Sequence, residues 1–277
     1  MNINRTPFTH LSASGKIHGD IHHAPKVLRR KGRIVFAHGY KGFKDWGAWD
    51  LLGDILAAEG WDFVRFNFSH NGHVKPRLLD CSDEIAWSKN TYSIEKSDLE
   101  SVLKFVREGM VQDAEKLIVI GHSRGGGIAS LAASSVDADG LVLLASVCDF
   151  GSRFPSGKAL DQWRSSNRLE VINGRTKQVL SHSFLFYEDF IGNRDSLNIE
   201  SSVTSLSSSV LVIHGDADLA VDISEGQKLA GWASNGKLVV ISGADHTFGT
   251  SHPWKSQDLP IYFMEMAQAI KLFLAEK

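Results

Sequence analysis

Six short runs of the chain are almost wholly apolar. They are RIVFAHG (Arg33 to Gly39), WDFVRFNF (Trp61 to Phe68), KLIVIGH (Lys116 to His122), GLVLLAS (Gly140 to Ser146), SVLVIHG (Ser209 to Gly215) and KLVVISG (Lys237 to Gly243). Their apolar residues are mostly continuous rather than alternating, as strands buried on both faces of a sheet require. Several end in Gly, where a loop must leave the sheet sharply. Between the runs the period changes to that of a helix. Leu99, Val102, Leu103 and Val106 recur at i, i+3, i+4 and i+7, and Phe263, Met266, Ala267, Ile270 and Leu274 trace a second stripe near the C-terminus. Strands alternating with helices predict an α/β fold with a mostly parallel central sheet flanked by helices. HLSASGKIHGDIHH (His10 to His23) predicts a Gly-centred hairpin that extends this sheet at an antiparallel edge.

One segment departs from the rhythm. From Gly151 to Ser208 no run reads as a buried strand, and the stretch is too long for a plain connection inside a compact domain. It holds short helical patterns and the aromatic run FLFYEDF (Phe184 to Phe190). The chain therefore reads as a single domain, 1–277, with 151–208 inserted as a small helical cap over the C-terminal edge of the sheet. The Ser-rich SSVTSLSSS then leads back into the next strand.

Composition narrows the picture by exclusion. With 277 residues, 43% hydrophobic and 22% charged, the chain has the balance of an ordinary globular protein, and its net charge of −2 argues against nucleic acid or an anionic membrane as partner. The one basic cluster, KVLRRKGR (Lys26 to Arg33), reads as a solvated loop entering a strand. No apolar run approaches the roughly 18 residues that span a bilayer, and MNINRTPFTHLSASG lacks the apolar core of a secretory leader. Cys81 and Cys148 are too few for a disulfide framework and suit a reducing compartment, so the expected location is cytoplasmic. Nothing indicates an oligomeric state.

The chemistry begins at Gly121-His122-Ser123-Arg124-Gly125, a G-x-S-x-G between an apolar run and a helical pattern. A Ser there sits on a strained strand-to-helix turn that lifts its hydroxyl clear of the sheet, and the glycines admit backbone where a Cβ would clash. The following helix points its N-terminus at the site, which favours negative charge there. A Ser hydroxyl is a weak nucleophile until a base takes its proton. A triad therefore needs an acid and then a His further along the chain. The strand-end loops supply both: Asp216 and Asp218 in SVLVIHGDADLAV, and His246 in KLVVISGADHTFG. The two acids are equal candidates on position alone. The backbone N–H of Arg124, next after the nucleophile, is one candidate oxyanion donor. His18, His22 and His23 have no carboxylate or Cys cluster beside them and read as strand packing rather than metal ligands.

These residues resemble the α/β-hydrolase superfamily over nearly the whole chain. The matching pieces are HGYKGFKDW (His38 to Trp46), GHSRGG (Gly121 to Gly126), HGDADLAV (His214 to Val221) and GADHTF (Gly243 to Phe248). The resemblance implies a serine hydrolase with Ser123 as nucleophile, His246 as base and, from the HGxxDxxV pattern, Asp218 as the acid; Asp149 is the other place where such enzymes carry it, and His252 is the reserve base. It places the second oxyanion donor at the backbone N–H of Tyr40. It implies no metal and no organic cofactor. The expected substrate is a small-molecule ester of a small acyl or aryl acid, with Phe184, Phe186 and Tyr187 of the cap as candidate pocket residues. A peptidase or amidase of the same fold is the first rival, with Glu188 and Asp189 as candidate holders of a substrate amine. An acyltransferase or perhydrolase is the second, and a non-catalytic binding module the third.

Overall fold

The computed structural model describes residues 2–73, 81–109, 116–174 and 176–277. Among these residues an eight-stranded sheet forms from β1 (Arg5–Leu11), β2 (Lys16–His22), β3 (Gly32–Ala37), β4 (Trp61–Asn67), β5 (Lys116–His122), β6 (Gly140–Leu144), β9 (Ser209–Gly215) and β10 (Gly236–Ile241). Its order is β1-β2-β4-β3-β5-β6-β9-β10. The hairpin β1–β2 is antiparallel and joins β4 antiparallel, while the pairs from β4 to β10 are all parallel. All six apolar runs are strands, and β1 begins five residues before the hairpin segment read from sequence.

The continuous apolar runs divide by the two-residue period of a strand. Val35, Val119, Leu143 and Val212 face one core; Ile34, Ile118, Val142 and Ile213 face the other. The first core is covered by α3 (Tyr92–Glu108), α4 (Arg124–Ser135), α7 (Ile199–Ser205) and α8 (Ile223–Trp232), the second by α1 (Trp49–Ala57) and α9 (Ile261–Ala275). The stripe read at Leu99, Val102, Leu103 and Val106 is fully buried, as is the one from Phe263 to Leu274. Chain order reverses at β3, whose neighbours are β4 and β5. A crevice therefore opens past the carboxyl ends of β3 and β5.

The segment between β6 and β9 differs from the helical insertion expected. It contains α5 (Lys158–Ser166), a hairpin of β7 (Leu169–Ile172) and β8 (Val179–His182), then α6 (Leu185–Gly192). The hairpin strands are four residues each and half exposed, so no apolar run marks them. The last helix, α7, packs against α4 and α8 on the main sheet and acts as the crossover into β9. The inserted part thus ends before it, earlier than residue 208. This part rests on α2 (Glu84–Ser88) through β8 and on α3 through α6.

The loop after β3 is anchored by charge as well as by the buried Phe43. Arg65 on β4 is almost buried; it donates to the Lys44 carbonyl at 2.8 Å and lies 2.9 Å from Asp45 and 3.2 Å from Asp20. Lys44 joins the same two acids, and its own backbone N–H donates to Asn67 Oδ1 at 2.7 Å. Removing one member of such a buried cluster leaves uncompensated charge. Arg65→Met is expected to lower the free energy of unfolding by about 3–5 kcal/mol in urea titrations. Arg168→Ala, which breaks only the exposed pair with Glu170, should change it by less than about 0.5 kcal/mol.

Candidate active site

Ser123 holds φ 56° and ψ −123° between β5 and α4. This left-handed conformation is costly for a residue with a side chain and persists only where its surroundings fix it. Three backbone bonds do so: Ser123 N–H donates to the Leu144 carbonyl at 2.9 Å, and the Ser123 carbonyl accepts from Gly126 at 2.9 Å and Val147 at 3.3 Å. The flanking glycines are required by proximity. A Cβ on Gly125 would stand 2.4 Å from the carbonyl oxygens of Ala37 and His38, and one on Gly121 would stand 2.3 Å from the Gly125 oxygen.

Two further strand-end loops meet this turn. His246, between β10 and α9, brings Nε2 to 3.0 Å from Ser123 Oγ and Nδ1 to 2.8 Å from Asp218 Oδ2. Facing a carboxylate, Nδ1 carries the proton, which leaves Nε2 free to accept from the Ser hydroxyl. The Asp218 side chain is sealed from solvent. Burial alone would raise its pKa, but hydrogen bonds from His214 and His246 outweigh burial and hold the carboxyl well below the usual range. Its other oxygen accepts from the backbone of Ala220 at 2.8 Å and Val221 at 3.0 Å. The loop of His246 is tied in turn by His122 Nε2, which donates to the His246 carbonyl at 2.9 Å. Burial lowers the His122 pKa to about 3 and the His38 pKa to about 4, so both rings are neutral near pH 7.

The N–H groups of Tyr40 and Arg124 have no acceptor among the described residues. Two cavities flank Ser123 and His246. One of 210 Å³ is lined by His38, Trp46, Trp49 and Asn173; the other, of 440 Å³, by Tyr92, Arg124, Phe154, Val171, His182 and Phe186. Two larger hollows, of 740 Å³ beside Asp149 and 540 Å³ between β10 and α9, touch no member of this constellation.

The alpha/beta hydrolase family model matches residues 34–260, which covers β3 through the loop before α9. The chain belongs to the alpha/beta hydrolase family. Solved structures share its fold. Est1E from Butyrivibrio proteoclasticus has a TM-score of 0.72 at 18% identity, over 98% of each chain, and a second structure of Est1E holds ferulic acid. Dienelactone hydrolase from Anabaena variabilis has a TM-score of 0.65 at 15% identity, over 100% of this chain and 99% of that one. An alpha-beta serine hydrolase homologue from Coxiella burnetii has a TM-score of 0.59 at 18% identity, over 98% and 96%. Comparison with curated protein sequences found no match.

Within this hydrolase the other sequence candidates lie elsewhere. Asp216 accepts from Gly243 N–H at 2.6 Å, which turns it away from His246. Asp149 accepts from the backbone of Gly151 and Ser152. His252 Nδ1 accepts from Gly47 N–H at 3.0 Å. Phe186 lines the 440 Å³ cavity; Phe184 and Tyr187 do not, and pack instead on Trp163 and Phe154. His22 pairs with Asp54, His23 bonds Thr6, and His18 bonds Thr9. The described residues contain no metal-competent cluster and no helix long and apolar enough to cross a membrane.

Sequence reasoning gave the side chains of Tyr40 and Arg124 no role. The structure gives both one. Tyr40 Oη and His182 Nε2 share a 2.8 Å hydrogen bond across the seam to β8. The Arg124 guanidinium stacks over the Tyr40 ring at 3.9 Å and reaches Glu95 at 3.5 Å.

The crowding at Gly125 has a clean control. Gly231 lies inside α8 with nothing within 4 Å of an added Cβ. Gly125→Ala is expected to destabilise by about 2–3 kcal/mol in urea unfolding, and Gly231→Ala to stabilise by about 0.5–1 kcal/mol.

Proposed function

We propose that this hydrolase cleaves small carboxylic esters through an acyl-enzyme. The single observation that carries the reading is the unbroken chain from Ser123 Oγ through His246 to the sealed carboxylate of Asp218, at 3.0 and 2.8 Å. In this reading Ser123 Oγ attacks the ester carbonyl and its proton passes to His246 Nε2. The carbonyl oxygen takes the negative charge opposite the N–H groups of Tyr40 and Arg124. The C–O bond to the alcohol then breaks, and His246 returns the proton to the leaving oxygen. Water, deprotonated by His246, attacks the acyl-enzyme and releases the acid. Asp218 holds the tautomer and stabilises the imidazolium without taking the proton. The part of segment 151–208 that precedes α7 serves as the cap, and Phe186 forms part of an apolar wall for the acyl or aryl group.

A peptidase that holds a substrate amine finds less support. Among the described residues no Asp or Glu lines either cavity beside Ser123. Asp189, one of the two acids considered for that task, is engaged by Ser93 N–H and Asn193. The likeness to Est1E speaks for the fold alone at 18% identity.

The test is turnover of p-nitrophenyl esters from acetate to laurate. Ser123→Ala is expected to lower kcat by roughly 10⁵-fold or more, and Asp218→Asn by on the order of 10⁴-fold, with both variants folded by circular dichroism. With His38 and His122 already neutral above pH 5, the acid limb of kcat/KM should carry a single proton. A folded wild type inert to every ester, and unlabelled by a fluorophosphonate, would overturn the reading. Product partition on adding an alcohol or peroxide acceptor separates hydrolysis from acyl transfer and perhydrolysis.

A further inference from the structure

The residue after the nucleophile carries a charge that acyl-transfer chemistry does not use. Arg124 lines the 440 Å³ cavity together with Ser123 and His246, so an acyl group on Ser123 in that cavity lies within its reach. Its plane is set by rings: Cζ stands 3.9 Å from the Tyr40 centroid, 5.1 Å from Tyr92 and 5.3 Å from Phe186. Rings hold the faces of a guanidinium and leave its N–H edge for a partner.

That edge is poorly satisfied by the protein. The contact with Glu95 is one bond of 3.5 Å from Nη1, whereas a fork-to-fork guanidinium–carboxylate pair closes to roughly 2.7–2.9 Å. Glu95 spends the same oxygen on Asn90 at 2.7 Å, and its other oxygen is buried without a partner. Nε and Nη2 of Arg124 have no acceptor among the described residues, and neither is among the polar atoms sealed from solvent. Arg124 itself belongs to the cavity lining, so an acceptor placed there can meet them. Among the described residues the lining adds Lys41 and Arg153 but no Asp or Glu; the acids paired with Arg124 and Arg153, Glu95 and Glu225, stand outside it. A pocket whose fixed charges among the described residues are positive favours an anion, and a planar guanidinium edge favours a carboxylate.

We propose that Arg124 receives a carboxylate at the far end of the acyl group, so that the substrates are half-esters of dicarboxylic acids. This rests on Ser123 being the nucleophile and names the acyl class for that reaction. The products are a free dicarboxylate and an alcohol. Arg124 is here a specificity residue through its side chain, separate from the oxyanion role of its backbone.

The experiment compares monomethyl succinate, glutarate and adipate with the dimethyl esters of the same acids, by pH-stat. Within one enzyme the ratio of kcat/KM for half-ester over diester cancels any change in the shared oxyanion site. For at least one acid the wild-type ratio should favour the half-ester by roughly 10- to 100-fold, the worth of a charge-assisted hydrogen-bonded pair. Arg124→Gln should remove most of that preference, and Arg124→Lys should retain part of it. Free glutarate should compete with a neutral ester on the wild type and glutaramide should not, which keeps the proposal testable if the variants fold poorly. A ratio at or below unity for all three acids, or a preference unchanged in Arg124→Gln, overturns the anion site while Ser123 labelling by a fluorophosphonate leaves the hydrolase standing. Absence of that labelling overturns both.

Discussion

The end of the sheet where chemistry gathers depends on one close approach of backbone to backbone. The first turn of α4 lies against the ends of β3 and β5, with no room for a Cβ at Gly121 or Gly125. That contact forces Ser123 into its left-handed conformation and brings its hydroxyl to the top of the sheet. It also brings the N–H of Arg124 beside the loop after β3. Loosening it would move the Ser123 hydroxyl and the Arg124 N–H together, because both are fixed by the same turn.

The remaining parts are aligned by polar contacts that cannot be exchanged for water. His122 holds the loop of His246 by its carbonyl, and Asp218 is held by four donors while sealed from solvent. Buried polar groups of this kind are costly when left unpaired, so each contact specifies one geometry. On β4, Arg65 does the same for the loop carrying Tyr40. Apolar layers hold the sheet together, while charge and hydrogen bonding set the positions of its loops.

This division explains what could be read from residues alone. Five of the six strands announced themselves because both faces are buried, while β10 is an edge strand that is apolar though only partly covered, and the stripes at Leu99 and Phe263 did so because one face is buried. Ser123 and His246 were legible from strand-end position and residue type; Asp218 was separated from Asp216 only by resemblance, since the deciding event is the capture of Asp216 by Gly243 N–H. The hairpin β7–β8 was invisible, for four-residue, half-exposed strands leave no periodic mark. Glu95 and the Arg124 side chain were missed although a signal existed. Glu95 lies four residues before Leu99 on the same buried stripe of α3, and an acid in an apolar stripe asks for a cation. The one bulky residue among the elbow glycines is that cation.

The hydrogen bond between Tyr40 and His182 ties two things that the chain keeps 142 residues apart. Burial lowers the His182 pKa to about 3, so the ring stays neutral and packs against Tyr40 and Trp87 at 5.7 and 5.2 Å, the three rings in mutual contact. The seating of the hairpin and the order of the loop carrying Tyr40 are therefore terms of one equilibrium. By reciprocity, whatever strengthens one strengthens the other. An acyl group that drew the Tyr40 N–H into place would tighten the hairpin over itself, and the free energy of that tightening would be counted in its affinity.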